Sequence, residues 1–195
     1  YGEATSRVVT TGEALRDRLV RDNGLDPARV DSIPTGIDAA RFGAIARDEA
    51  RRTLGLPADA RIVGIVATLR SWKGHRHLVD AFARLDDPRA LLVIVGDGPQ
   101  REALGRHVAA LGLVPRVRFA GQQRDVAPWL AALDVFALPS TANEGVPQAL
   151  LQAMFAGVPC VTTKSPASSR ITAARHATPS RPVSMASRFT APIPT

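Results

Sequence analysis

Asp134-Val-Phe-Ala-Leu-Pro-Ser-Thr-Ala-Asn-Glu-Gly-Val-Pro-Gln-Ala-Leu-Leu-Gln-Ala-Met-Phe-Ala-Gly-Val-Pro-Cys-Val-Thr162 is the stretch that decides the fold. The run Val135-Leu138 is apolar at every position and too short for a helix, so it reads as a buried strand. Pro147 suits the first turn of a helix, where its missing N–H costs nothing, and Gly157 with Pro159 suits the stop. A helix over Pro147-Ala156 and a second strand over Pro159-Thr162 follow. Strand, helix and strand in so short a span make the crossover of a parallel pair.

The same alternation extends upstream to Arg61. Apolar runs at Ile62-Thr68, Leu91-Val95 and Val117-Ala120 read as strands, and amphipathic stretches at His75-Leu85, Gln100-Leu111 and Val126-Leu133 read as helices. The strands are continuous in Val, Ile and Leu rather than apolar at every second position. The expected fold is therefore α/β, a Rossmann-like parallel sheet with helices on both faces. Earlier still, Arg7-Thr11 reads as a strand, Glu13-Arg21 as a helix, Arg29-Ile33 as an extended segment and Asp48-Leu54 as a helix stopped by Gly55 and Pro57. Residues 1–45 are expected to be the end of a preceding domain and its linker, and 46–163 the main domain, truncated. The chain opens at Tyr1 inside an element already under way, which reads as a fragment.

Beyond Thr163 the sequence turns to Ser, Thr, Pro, Ala and Arg without acidic residues, a composition that cannot bury enough surface to offset ordering entropy. Residues 164–195 are expected to form a largely disordered basic tail. The formal charge of +7 belongs mostly there, because residues 1–163 carry 20 basic and 18 acidic side chains. That distribution argues against a nucleic-acid-binding domain. With 195 residues, of which 45% are hydrophobic, one well-buried domain is expected. The single cysteine, Cys160, lies in an apolar run and reads as a core thiol. No apolar run is long enough to span a bilayer and no signal-peptide pattern opens the chain, so the expected location is cytoplasmic.

In an open parallel sheet ligands bind beyond the carboxyl ends of the strands. Four loops should therefore share one crevice: Leu69-Gly74, Gly96-Pro99, Gly121-Asp125 and Pro139-Pro147. The first carries Arg70 and Lys73, cations suited to a diphosphate, although taken alone it reads more plainly as a solvated basic turn. Gly96-Asp-Gly-Pro99 reads as a tight turn before a helix, since Arg101 stands where a dinucleotide fingerprint would place its third glycine. Gly121-Gln-Gln123 offers amide groups to a base edge. In the fourth loop Glu144 precedes a helix start and Gln152 lies inside the helix. The eight positions between them span about 12 Å at roughly 1.5 Å per residue, a distance that separate parts of one bound nucleotide sugar would match.

Six motifs in consistent order resemble the retaining GT-B glycosyltransferases of glycosyltransferase family 4. They are Ile33-Pro-Thr-Gly-Ile-Asp38 with Phe42, Lys73-Gly74, Val93-Ile-Val-Gly-Asp-Gly-Pro99, Val117-Arg-Phe-Ala-Gly121, Asp134-Val-Phe-Ala-Leu-Pro-Ser140, and the block from Glu144-Gly to Gly157-Val-Pro159. The resemblance implies two Rossmann-like domains, of which this chain holds mainly the C-terminal, donor-binding one. It implies that Lys73 binds the donor diphosphate, that Gly121, Gln122 and Gln123 line the base pocket, and that Glu144 with the amides of Gly145 and Val146 holds the donor sugar.

Two positions depart from the family pattern. Gln152 stands where a second Glu accepts from the ribose hydroxyls, and its amide oxygen accepts without a negative charge. Thr68 stands where the family has an Arg, leaving Arg70 as the nearby guanidinium. A subgroup with Gly-Val-Pro-Gln after the Glu is similar in both respects.

The implied activity is transfer of a sugar from a nucleoside diphosphate sugar to a hydroxyl acceptor, in cell-surface polysaccharide, lipopolysaccharide or glycolipid synthesis. The acceptor would be bound by the missing N-terminal domain. No metal and no cofactor are implied, the donor being a substrate. Expected partners are that donor and that acceptor, with no specific nucleic acid, and with peripheral association at the inner face of the membrane as a further expectation. The alternatives are a GT-B nucleotide-sugar epimerase or hydrolase, and a non-catalytic binding module with a basic tail.

Overall fold

The computed structural model describes residues 5–142 and 147–163. The expectation of a disordered tail over 164–195 lies outside the described residues. The chain begins with strand β1 (Val8–Thr10), helix α1 (Glu13–Asn23) and strand β2 (Val30–Ser32), and β1 pairs in parallel with β2, Val9 opposite Asp31. Arg16 reaches from α1 to the carbonyls of Val30 and Pro27 at 2.8 and 3.1 Å, fixing the helix over the strand pair. Two helices follow, α2 (Ala39–Gly43) and α3 (Arg47–Leu54).

The main sheet then forms from β3 (Arg61–Val66), helix α4 (His75–Ala83), β4 (Ala90–Val95), α5 (Arg101–Ala110), β5 (Val117–Gly121), α6 (Ala127–Ala131), β6 (Val135–Leu138), α7 (Gln148–Phe155) and β7 (Cys160–Thr162). Its strand order is β5-β4-β3-β6-β7, and every pairing is parallel. The fold class read from the sequence is the one observed. Ile62, Val63, Ile65, Leu92, Val93, Ile94 and Phe136 have no exposed surface, as strands covered on both faces require. On α4 the residues at helical spacing 75, 78, 79 and 82 are buried against the sheet.

The element boundaries move by a few residues from those expected. β3 leaves the ladder after Val66 rather than Thr68, because the chain there folds over the next loop: Leu69 N–H donates to the Asp97 carbonyl at 3.0 Å. α6 is shorter than Val126-Leu133; Asp125 Oδ1 accepts from Ala127 N–H at its start. α2 has no counterpart in the sequence reading. Its Phe42 joins the core of the main sheet, and Arg41 pairs with Asp125 at 2.9 Å.

At the amino-terminal rim of the sheet a buried guanidinium ties three elements together. Arg51 of α3 is 4% exposed and donates to the carbonyls of Ala132, Ala58 and Ala60 and to Asp134 Oδ2 at 2.7 Å. Asp134 in turn accepts from the Ile62 N–H at 2.8 Å and from Arg47 at 2.9 Å. Every hydrogen-bonding oxygen and nitrogen that this charge pair brings inside is thereby answered.

The strand order also fixes where a ligand belongs. From β3 the chain crosses to β4 and β5 on one side, and from β6 it crosses to β7 on the other. The crevice at such a switch point lies between the carboxyl ends of β3 and β6, so the segments 67–74 and 139–142 stand at its walls.

Candidate functional site

Those two loops touch. Trp72 carbonyl accepts from Thr141 N–H at 2.8 Å, and Gly74 is pressed so close to Pro139 that a Cβ on it would lie 1.9 Å from the Pro139 oxygen. Gly74 has φ +75, a conformation that side chains disfavour, so the contact depends on glycine twice over. On the other side the Gly96-Asp-Gly98 turn backs the same loop. A Cβ on Gly96 would meet the Ala67 oxygen at 2.1 Å, and Gln100 N–H donates to the Leu69 carbonyl at 3.0 Å. The turn thus acts as a buttress for residues 67–70.

Within this frame Lys73 is half-buried and closes a single turn of 3-10 helix, Ser71–Lys73, directly before α4. Arg70 is exposed, with its guanidinium 5.6 Å from the Trp72 ring centre. Thr68 is exposed, and its carbonyl accepts from Arg70 N–H. Gly121 closes β5 with φ +71, and its carbonyl accepts from Gly96 N–H at 2.8 Å. Gln122 is exposed, whereas Gln123 folds back to donate its amide to the Ala120 carbonyl at 2.6 Å, which leaves its side-chain oxygen as the available acceptor. Gln152 is half-buried in the second turn of α7. Glu144, Gly145 and Val146 lie outside the described residues. The structure therefore brings the Lys73 loop and the 139–142 segment together at one rim, with the Gly121 turn beside the Gly96 buttress.

Two polar groups at this rim escaped the sequence reading. His75, the first residue of α4, is 2% exposed and has the Arg70 backbone as its polar neighbour. Burial, reinforced by the Lys73 charge, lowers its pKa from 6.5 to about 4 against an opposing pull from the Arg70 backbone, so the ring is neutral near pH 7. Gln148, the first residue of α7, buries its side-chain nitrogen without a hydrogen-bond partner. The signal was present for His75: it is the one polar residue on the apolar stripe of α4. Cys160 is half-buried, and burial raises its thiol pKa to about 12, so the thiolate is scarce. Among the described residues no three His, Cys, Asp or Glu side chains converge as metal ligands, and no helix is long and apolar enough to cross a membrane.

The family model described as "Glycosyl transferases group 1" matches residues 60–189. The chain belongs to that family. It is 40% identical over 115 residues to the lipopolysaccharide core biosynthesis glycosyltransferase LpsE of Rhizobium meliloti (strain 1021), covering 59% of this chain and 33% of that protein. Its fold matches HepE from Anabaena, solved in complex with UDP-glucose, with a TM-score of 0.76 and 29% identity, over 86% of this chain and 47% of that one. It also matches the C-terminal domain of a group 1 glycosyltransferase (LpcC) from Francisella tularensis, with a TM-score of 0.62 and 25% identity, over 70% of this chain and 75% of that domain. This group 1 chain thus has the GT-B type of Rossmann-like fold and spans less than half the length of LpsE and HepE.

Proposed function

We propose that this chain is the donor-binding half of a glycosyltransferase that moves a sugar from a nucleoside diphosphate sugar to a hydroxyl acceptor in lipopolysaccharide or cell-surface polysaccharide synthesis. The observation that carries the reading is the contact between the Lys73 loop and the β6–α7 loop at the switch point of the sheet. It puts a cation and the amino ends of α4 and α7 around one crevice, and such ends attract phosphate through free N–H groups and the helix dipole. Neither cap residue, Gly74 or Pro147, supplies a side-chain hydrogen bond to its helix start.

In this reading Lys73 meets the diphosphate, with Arg70 in reach and Thr68 at the loop entrance. Gly121, Gln122 and Gln123 line the base pocket, Gln152 accepts from a ribose hydroxyl, and Glu144 with the amides of Gly145 and Val146 holds the sugar. The chemistry asked of these groups is stabilisation of negative charge as the diphosphate leaves. No metal is assigned a part. The acceptor belongs to the portion of the relatives that this chain does not match, and the place of action is the cytoplasm, at the inner face of the membrane. Relatives named for lipopolysaccharide synthesis and a neighbour solved with UDP-glucose support the donor class.

A ligand that binds only the folded state raises its melting temperature. A thermal-shift panel of UDP-, GDP-, ADP- and dTDP-sugars should therefore show stabilisation by one nucleotide series, with little sugar transfer by the 195-residue chain alone. No shift with any nucleotide diphosphate up to millimolar concentration would refute the donor site.

A further inference from the structure

Arg41 and Asp125 stand 84 positions apart in the chain and meet at 2.9 Å, joining α2 to the loop between β5 and α6. The oxygen that accepts from Arg41, Asp125 Oδ1, also accepts from the Ala127 N–H at 3.0 Å and so holds the start of α6. These bonds keep the carboxylate charged: the Ala127 N–H first, and Arg41 after it, lower its pKa against a small opposing effect of burial. α2 is itself fixed to the main domain, because Phe42, next to Arg41, is buried in its core and the helix packs on α6 and α7. Between β5 and Asp125 lies the turn Gly121-Gln122-Gln123. Its near end is tied by the bond from Gly96 N–H to the Gly121 carbonyl, at 2.8 Å. The turn has little packing of its own: a Cβ on Gly121 would meet nothing within 4 Å, Gln122 is exposed, and the Gln123 amide bonds within the same loop. Its position therefore depends on its two ends, and Asp125 is at the far one.

We infer that Arg41 is a positioning residue for this turn: through Asp125 it sets where Gln122 and Gln123 stand, and it couples the seating of α2 to nucleotide binding. This role rests on the proposed donor reading, which assigns the base to the turn, and it brings in a residue from the segment that precedes the main sheet. Coupling of this kind is reciprocal, so a base that orders the turn also tightens the hold on α2. The two side chains are 48% and 53% exposed, so the effect is that of one solvent-facing ion pair, modest in size and screened by salt.

The test uses the full chain with UDP and with pyrophosphate, which carries the diphosphate without the base. Arg41→Met keeps the apolar stem and removes the charge. It is expected to weaken UDP binding about three- to fivefold in calorimetry while leaving pyrophosphate binding within about twofold. Arg41→Lys, which restores a cation, should recover most of the loss. In an Asp125→Asn background, where the amide oxygen still accepts from the Ala127 N–H, Arg41→Met should cost no further affinity, since the two residues act as one unit. Unchanged UDP affinity in Arg41→Met, equal weakening of UDP and pyrophosphate, or an undiminished loss in the Asp125→Asn background would overturn the inference. If Arg41→Met does not fold, amide spectra of the wild-type chain decide: the Ala127 N–H signal should move with UDP and stay in place with pyrophosphate, and a signal indifferent to UDP overturns the assignment. Should the wild type bind UDP while Arg41→Met binds it equally well, only this assignment falls; should the wild type bind no UDP, the donor reading falls with it.

Discussion

His75 couples the stability of the fold to pH. In the unfolded chain its imidazole takes up a proton as the pH drops below about 6.5, whereas in the folded chain burial and Lys73 delay protonation to about 4. Protons therefore bind the unfolded state preferentially in that window. The stability contributed by neutral burial is complete above pH 6.5 and is lost as the pH falls to about 4, at about 1.4 kcal/mol per pH unit and of the order of 3 kcal/mol in all. Urea unfolding at pH 7 and pH 5 should show the wild type losing most of that amount and His75→Phe losing much less; equal losses would exclude His75 as the source. At this scale the sequence was unevenly legible. Lys73 and the Gly121-Gln123 turn stand at strand exits, where motif and topology locate them without coordinates. His75 and Gln148 stand inside helical runs, and packing shows how deeply their polar atoms are buried.

Elements were legible where local pattern and final packing agree. The strands of the main sheet are runs of Val, Ile and Leu between glycines and prolines, and each appears within two residues of its expected ends. α2 was not legible, because a five-residue helix has little periodicity and is held by Phe42 in a distant core. The joint between the two loop walls was half legible: Lys73-Gly74 stood out as a motif, but its reason, the Pro139 oxygen, is 65 positions away. That joint gives a sharp comparison. Gly74→Ala forces both a positive φ and a clash with backbone, and should destabilise the chain by more than about 2 kcal/mol in urea melts. Gly112→Ala has a similar positive φ, +67, but open space around it, and should cost only about 1 kcal/mol. Equal costs would mean that the loop contact yields freely.

For the molecule as a whole, the Arg51–Asp134 pair sets how the helical edge is fastened to the sheet. Arg51→Met keeps the apolar stem but leaves three carbonyls without their donor and Asp134 with only Arg47 and the Ile62 N–H, and should cost about 3 kcal/mol by denaturant titration. A loss below about 1 kcal/mol would show that water replaces the guanidinium. The parallel class of the sheet was readable from its crossover spacing, but its order was not, since nothing local in Val135-Leu138 says that it lies beside β3 rather than beyond β5. That order also governs how the chain can be made. Val63 finds its first partner, Leu92, after 29 further residues, and its second, Val135, only after 72. At ribosomal rates of about 5–20 residues per second, one flank of the central strand stays bare for roughly 4–14 s after it emerges. Through that interval an apolar strand offers its unpaired backbone to any passing chain, and a holding chaperone would have its best grip there.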